Sequence, residues 1–293
     1  MNKKNRFFTP VKVEPLEDKI VGDDIILGIG SCFAQAMLDR LFNYGFSGMQ
    51  NPSGIIYNVI SISKIVERAV ANIFFTEDEF FEFNGKWRSW EHHGAFARST
   101  LADAVKVANE SLVQFRELLS QAKYFIVTSS SSVVYKLNET GAVVANCHKV
   151  KSSTFERCLL SVDDNLIALN NLSQAVEQFN PACKTIFTVS PVRHYPGDLV
   201  LNSISKANLL AAVRRNVDMH QNSSYFPAYE IMQDELRDYR FYKSDMLHPS
   251  PLAEDIIFER FIENYCSNDA LAKITAGIKH CKTSAHRTIN PLD

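Results

Sequence analysis

The chain has 293 residues, of which 46% are hydrophobic and 22% charged, and its formal net charge is -2 at pH 7. This length and apolar content are sufficient to bury the core of one large domain. A charge so close to zero does not favour nucleic acid or an anionic membrane surface as the main partner. No apolar run approaches the roughly 18 residues that a membrane-spanning helix needs.

The N-terminal stretch 1–15 carries charges and lacks the apolar segment of a signal peptide, so we expect a cytoplasmic protein. The six cysteines are scattered along the chain without metal-type spacing. We therefore expect free thiols, no metal site and no organic cofactor.

Apolar segments and amphipathic segments alternate along the chain. Short buried strands are predicted at 24–29, 45–50, 124–128, 184–189 and 225–231. Helices are predicted at 31–43, 55–71, 102–121, 163–179 and 203–220. This alternation predicts an α/β fold with right-handed crossovers and a parallel sheet that is covered on both faces. Ligands of such sheets bind at the carboxyl ends of the strands.

Two further segments have the pattern of β-hairpins. The first spans 80–90 and turns at Asn84-Gly85, a strong signal for a two-residue turn. The second spans 133–145 and turns near 138–141. Hairpins that start at the active edge of a sheet can wall or cover a pocket.

A last helix is predicted at 251–265, followed by a short helix and a loose tail. We therefore expect a single α/β domain over residues 1–265, with an insertion at about 72–118 that contains the first hairpin. The segment 266–293 is expected to be a C-terminal extension.

The first predicted strand ends in Gly30-Ser31-Cys32-Phe33-Ala34, which reads as a tight turn into a helix. A serine at this junction has its hydroxyl at the rim of the sheet, where the following N–H groups can face an oxyanion. Far along the chain, Asp245 lies three residues before His248, so its carboxylate can hold the imidazole in one tautomer. The pattern predicts a serine hydrolase or acyltransferase, although Ser31 and Asp245 could each simply cap a helix.

At these residues the chain resembles the GSCFA family, a branch of the SGNH (GDSL-like) hydrolase superfamily. The stretch from Gly30 to Ala34 is the family's namesake, and further matching stretches lie at 51–58, 146–149, 188–194 and 239–250. The likeness covers roughly residues 20 to 260. It implies a three-layer α/β/α sandwich of flavodoxin-like type, with about five parallel strands and Ser–His–Asp chemistry on acyl esters.

Carried over by position, Ser31 matches the nucleophile of the superfamily, His248 the general base and Asp245 its partner. Gly54 matches the glycine whose N–H joins that of Ser31 in the oxyanion hole. SGNH enzymes usually present an asparagine after the third strand, where this chain has four serines at 129–132. Either one of these serines donates instead, or Asn146 returns from the second hairpin to do so.

Four residues near the expected active edge are predicted to contact the substrate: Trp90, His92, His148 and Arg193. Arg193 and the adjacent His194 follow the fourth strand and could bind a substrate anion. The simpler interpretations are that the histidines lie at the surface and that Arg193 pairs with Asp198.

The favoured interpretation is an SGNH-type serine esterase or O-acyltransferase that forms an acyl-enzyme. Its substrate would be a small acyl ester, for example an acetylated sugar, and the acyl group would pass to water or to an acceptor alcohol or sugar. The serine run at 129–132 motivates an alternative, a binding protein that kept the fold and lost its rate. A third possibility is a hydrolase that uses Cys32, since a thiol at a helix N-terminus is readily ionised.

Overall fold

The structure is a computed structural model that describes residues 9–194 and 198–287. Ten strands are present in this part of the chain: β1 (Ile25–Gly30), β2 (Ser47–Gln50), β3 (Phe80–Phe83), β4 (Lys86–Ser89), β5 (Tyr124–Ser129), β6 (Val133–Leu137), β7 (Val143–Val144), β8 (Phe155–Leu159), β9 (Lys184–Val189) and β10 (Ser223–Tyr225). Five of them form the central sheet in the order β2-β1-β5-β9-β10, and every pair is parallel. This is the strand order of a flavodoxin-like, doubly wound sheet, so the predicted fold class is confirmed.

Helices cover both faces of the sheet. In the same residues they are α1 (Cys32–Asn43), α2 (Val59–Ala71), α3 (Leu101–Gln121), α4 (Val162–Phe179), α5 (Leu199–Met219), the single turn α6 (Ala228–Glu230), α7 (Pro251–Tyr265) and α8 (Asn268–Arg287). None of the helices in these ranges has the length and apolar character needed to cross a membrane.

The alternation of side chains along β1 divides the core into two layers. Leu27 and Ile29 are buried in the apolar cluster that contains α2, α3, α4 and α5. Ile26 is buried on the opposite face, in the cluster with α1, α7 and α8. A strand that is apolar on both faces is expected at the centre of a parallel sheet.

Both predicted hairpins are present. β3 and β4 pair antiparallel around Asn84 and Gly85, whose φ angles of 53° and 70° are those of a two-residue hairpin turn. β6 pairs with β7 as predicted, and β8 adds a third strand on the other side of β6. The predicted insertion also contains most of α3, the helix that packs against β1 and β2.

Two boundaries differ from the prediction. The fifth strand was expected at 225–231, but β10 stops at Tyr225, and a helical turn runs from Ala228 through Glu235. Pro227 between them has no N–H to continue the strand ladder, and the apolar side chains that follow it are buried in helical form. The expected short helix of the extension is the 20-residue α8.

The helix α8 packs onto the main body of the domain. Ala270 and Ile274 are buried in the same cluster as α1. A Cβ at Gly277 would lie 2.6 Å from the Cα of Tyr44, so the helix backbone approaches the end of α1 closely. The part of the predicted tail at 288–293 lies outside the described residues.

Gly30, the last residue of β1, has no space for a side chain. Its φ is +138°, and a Cβ there would lie 2.1 Å from the carbonyl oxygen of Thr128. We expect Gly30→Ala to lower the free energy of unfolding by roughly 2–5 kcal/mol, because it adds a steric clash to an unfavourable φ.

Gly141→Ala is the matched control for this substitution. Gly141 has φ +70° but no atom within 4 Å of an added Cβ, so only the backbone cost of about 1–2 kcal/mol applies. Chemical denaturation of both variants measures the difference. Equal losses of stability would contradict the close approach at Gly30.

Candidate functional site

The carboxyl ends of the three central strands meet at one edge of the sheet. Gly30 in β1 lies opposite Thr128 in β5, and Thr128 lies opposite Thr188 in β9. The residues that follow each strand are Ser31, Ser130 and Ser190, and all three are fully buried. This is the edge at which parallel α/β sheets bind their ligands.

Ser31 occupies the N-cap position of α1 but does not cap it. Its side chain makes no capping hydrogen bond, and its buried hydroxyl has no partner among the described residues. By contrast, Ser161 at the start of α4 accepts a hydrogen bond from the N–H of Asp164. Because its side chain makes no capping bond, capping does not account for Ser31. Its buried hydroxyl instead costs about 1–3 kcal/mol of stability.

Asp245 and His248 form the pair that their spacing predicts. The two atoms Asp245 Oδ2 and His248 Nδ1 are 2.7 Å apart. The other carboxylate oxygen accepts hydrogen bonds from the N–H groups of Leu247 at 2.8 Å and His248 at 3.0 Å. These two backbone bonds, followed by the bond to the imidazole, lower the pKa of Asp245 to about 2.

A carboxylate that stays ionised can only accept a hydrogen bond, so Nδ1 of His248 is the donor. In the neutral ring Nε2 then carries the free lone pair. This is the arrangement required of a general base.

One backbone hydrogen bond joins the loop that carries His248 to the active edge. The N–H of Arg193, just after β9, donates to the carbonyl of Leu247 at 3.1 Å. The charge of Lys243, whose N–H donates to the carbonyl of His248, acts on the thiol of Cys32 at the start of α1. Among the described residues, however, no hydrogen bond joins the Ser31 hydroxyl to the His248 ring.

Cys32 differs from the reactive thiol that a helix N-terminus can produce. Burial raises the pKa of the Cys32 thiol above its ordinary value and outweighs the lowering effect of the adjacent N–H groups. A nucleophilic cysteine needs a shift in the opposite direction.

The predicted oxyanion donors Gly54 and Asn146 differ in whether their N–H groups are already hydrogen-bonded. The N–H of Gly54 donates to the carbonyl of Asn51 at 2.8 Å and closes a turn. Asn146 accepts a hydrogen bond from the N–H of His148 through Oδ1, while its amide nitrogen donates to none of the described residues. Asn146 lines a cavity of about 290 Å³ together with Tyr57 and His194.

The hydroxyls of the serine run have separate roles. Ser131 accepts a hydrogen bond from the N–H of Val133, and Ser132 donates to the carbonyl of Ser205. Ser130 is different, because its hydroxyl contacts Nε2 of His194. Burial, reinforced by nearby positive charge, lowers the pKa of His194 to about 3, so its ring is neutral at pH 7.

Lys206 was not identified from the sequence. Its side chain is buried, and Nζ donates to the carbonyls of Ser130 at 2.6 Å and Ser190 at 2.7 Å. It therefore joins the segments that follow β5 and β9. The sequence could have indicated it, because Lys206 lies on the same face of α5 as the buried Asn202, Leu209 and Val213. A lysine on the buried face of a helix is unusual.

Of the predicted substrate contacts, His92 is placed where it cannot serve in this conformation. It is 1% exposed, and its ring lies 4.6 Å from that of Phe75 and 4.9 Å from that of Phe96, centroid to centroid. Burial lowers its pKa to about 3. The prediction was that His92 contacts the substrate, whereas its ring packs among aromatic side chains of the insertion, of which Phe75 and Phe80 belong to the main core.

Trp90 and His148 join the two hairpins. The Trp90 ring stacks on Phe81 at 3.9 Å, and its carbonyl accepts from the N–H of Ala145. Nε2 of His148 bonds the carbonyl of Ser89 at 2.8 Å. Both contacts fix one hairpin against the other, on the side of the Asn146 cavity.

Arg193 lies beside the loop that carries the His–Asp pair. Its Nη2 donates to Gln233 at 2.5 Å, and it lines a cavity of about 540 Å³ that also contains Asp245 and Leu247. The alternative that Arg193 pairs with Asp198 does not hold. Asp198 instead accepts a hydrogen bond from the N–H of Leu201 and caps α5.

The cysteines at 32, 147, 158, 183, 266 and 281 are free in the structure. In 9–194 and 198–287 there is no group of three His, Cys, Asp or Glu side chains that could hold a metal ion.

Comparison with known proteins identifies one family. The model of the GSCFA family matches residues 25–261. Among solved structures, a protein from Parabacteroides merdae described as a GDSL-like lipase is similar, with 10% identity and a TM-score of 0.43 over 84% of this chain and 97% of that one. An acetyl xylan esterase from the rumen bacterium Butyrivibrio proteoclasticus has 12% identity and a TM-score of 0.40 over 83% and 63% of the two chains. TM-scores this low carry no argument about activity. No curated protein matches the chain.

Ser31→Ala and Ser161→Ala should differ in their effect on stability. We expect Ser161→Ala to lower the free energy of unfolding by about 1 kcal/mol, because it removes a capping bond. Ser31→Ala should leave the free energy of unfolding unchanged or raise it by up to about 1 kcal/mol, because it removes a buried hydroxyl without a partner. Denaturant titration tests both, and a clear loss for Ser31→Ala would restore the capping interpretation.

Lys206 should make stability rise with pH in the alkaline range. Burial lowers its pKa from 10.5 to about 7. Between these values the unfolded chain holds a proton that the folded chain has lost, so the free energy of unfolding increases with pH by at most about 1.4 kcal/mol per unit.

Lys206→Gln keeps a donor and removes the titration. We expect the stability difference between wild type and this variant to grow in favour of wild type from pH 7 to 9.5, measured by denaturant titration. A difference that is constant over this range would contradict the prediction.

Proposed function

Because the chain belongs to the GSCFA family, we propose that it is a serine hydrolase or O-acyltransferase of the SGNH type that acts on a small acyl ester. The observation that carries the proposal is the oriented Asp245–His248 pair, held at the sheet edge where the Ser31 hydroxyl is left without a partner. The hydroxyls of Thr128, Ser129 and Thr188 at this edge also have no partner among the described residues, so it is the combination with the oriented pair that supports Ser31.

In the proposed reaction, Ser31 Oγ attacks the ester carbonyl while Nε2 of His248 takes the hydroxyl proton. The Asp245 carboxylate stabilises the imidazolium that results. The tetrahedral intermediate collapses as His248 returns the proton to the departing alcohol, which leaves an acyl group on Ser31. Water or an acceptor alcohol or sugar then removes it by the reverse sequence of proton transfers.

This cycle requires the Ser31 hydroxyl and the His248 ring to come into contact when substrate binds. Catalytic hydrogen bonds are often long or unformed in a ligand-free site and close only in the complex. The side chains of Asp245 and His248 are 43% and 38% exposed, so the pair is not locked by packing.

The Asn146 cavity is the proposed site of the ester. Its volume of about 290 Å³ suits a small ligand, and Ser131 and His194 line it. Ser31 and His248 do not line it, so the bound ester would have to extend from the cavity to these two residues. In this proposal the Ser31 N–H and the Asn146 amide remain available to polar atoms of the substrate, whereas Gly54 would first have to release its turn. A cytoplasmic location and the single-domain division at residue 265 remain predictions from the sequence.

A binding protein without catalytic rate is the second candidate. It is favoured by the absence of a Ser31–His248 bond within the described residues and by the engaged N–H of Gly54. The Cys32 enzyme has less support, because burial raises the pKa of that thiol.

An active-site fluorophosphonate probe distinguishes these candidates. We expect wild type to be labelled on Ser31, Ser31→Ala to be unlabelled, and Cys32→Ala to be labelled normally. His248→Ala should lower kcat on p-nitrophenyl acetate by at least about 10³, because the nucleophile loses its base.

His220→Ala is the matched control for His248→Ala. His220 also pairs with a carboxylate, Glu177, at 2.9 Å, but it precedes β10 and so lies at the opposite edge of the sheet. Its kcat per folded molecule should stay within about threefold of wild type. A folded wild type that resists the probe and has no esterase activity would favour the binding protein. Esterase activity that survives Ser31→Ala and is lost in Cys32→Ala would favour the cysteine enzyme.

A further inference from the structure

We propose that Ser130, oriented by His194, is the third oxyanion donor of this site. The inference rests on the function proposed above. It assigns to Ser130 the role that an asparagine after the third strand has in the SGNH enzymes that this chain resembles. It also gives His194 and Lys206 roles as positioning residues.

Side-chain contacts single out Ser130 in the serine run. Continued by one residue, the register that sets Gly30 opposite Thr128 sets Ser31 opposite Ser129, whose parity in β5 is that of Phe125 and Val127 in the layer of α2 to α5. Ser131 and Ser132 are hydrogen-bonded to their own surroundings. Ser130 follows directly, and its hydroxyl contacts Nε2 of His194, a residue that lines the Asn146 cavity.

The proton on His194 determines what the Ser130 hydroxyl can do. A neutral imidazole carries a single N–H. If that proton is on Nε2, it is donated to Ser130 Oγ, and the hydroxyl hydrogen of Ser130 is free to bind an oxyanion. If it is on Nδ1, the N–H has no acceptor among the described residues, and the hydroxyl hydrogen is consumed by Nε2. The proposal requires the first tautomer, which leaves a donor for the substrate.

The environment keeps the His194 ring neutral and in place. The ring packs edge-on against Tyr57, with centroids 5.1 Å apart. It is buried, and the ammonium of Lys206 and the ring of His248 are the charged or titratable groups that oppose its protonation. A neutral ring protonated on Nε2 presents its one N–H to Ser130, and its acceptor nitrogen Nδ1 lies on the other side of the ring.

The backbone around Ser130 is held by three hydrogen bonds. The N–H groups of Ser130 and Ser131 both donate to the carbonyl of Tyr57, at 2.9 and 3.1 Å, and Lys206 Nζ donates to the Ser130 carbonyl. A donor fixed in this way needs little reorganisation when charge develops on the substrate, which is the main requirement for an oxyanion hole.

Four variants of the full chain test the inference with p-nitrophenyl acetate as substrate. We expect Ser130→Ala to lower kcat about 10²–10³-fold with KM changed less than about threefold, as for loss of an oxyanion donor elsewhere. His194→Phe should lower kcat similarly. His194→Gln has an amide N–H at the position of Nε2 and should stay within about tenfold of wild type. Ser132→Ala, the control from the same run, should lose stability but keep kcat per folded molecule.

Two measurements separate this proposal from the assignment of Ser31. The fluorophosphonate adduct should map to Ser31 both in wild type and in Ser130→Ala, and it should form more slowly in the variant. The ¹⁵N shift of His194 Nε2 should be that of a protonated ring nitrogen.

Wild-type kcat in Ser130→Ala, with Ser31 still labelled, would overturn the inference and leave the proposed function intact. An Nδ1-protonated His194 would also overturn it. An adduct on Ser130 itself would make that serine the nucleophile and overturn both assignments, as would a folded wild type that is never labelled.

Discussion

The close approach of β1 and β5 at Gly30 determines where the reactive groups stand. The N–H of Gly30 donates to Asn51 Oδ1 at 2.9 Å, and its carbonyl accepts from the N–H of Ile56 at 3.0 Å. With the Thr128 carbonyl against its Cα, Gly30 is restrained on three sides. Ser31 follows directly, so its place at the rim is defined by backbone contacts and not by its own side chain.

Two histidines at this edge are in opposite environments. His248 is partly exposed, and its bond to the Asp245 carboxylate fixes Nδ1 as the donor. His194 is buried, and burial, reinforced by the nearby Lys206, lowers its pKa to about 3. An oriented, partly exposed imidazole and a buried neutral one are suited to separate roles in catalysis.

Short-range features of the site could be predicted from the sequence. The Asp245–His248 bond follows from a three-residue spacing within one loop, and the first hairpin follows from Asn84-Gly85, whose backbone conformation few other pairs adopt. Strand and helix alternation predicted the sheet, because each element has to bury its own apolar face. The same argument failed at 225–231, where an apolar run alone does not distinguish a strand from a buried helical turn.

The sequence by itself determined the fold class, four of the five strands of the central sheet and the local pairs, because these depend mainly on neighbours within a few residues. Only the tertiary structure decided that His92 is enclosed and that Ser130 contacts His194 and Lys206, which lie 64 and 76 residues further along the chain. It also decided that the Ser31 hydroxyl is buried and, within the described residues, unpaired. The physical reason is that burial and long-range hydrogen bonding depend on how whole layers pack, which no local pattern encodes.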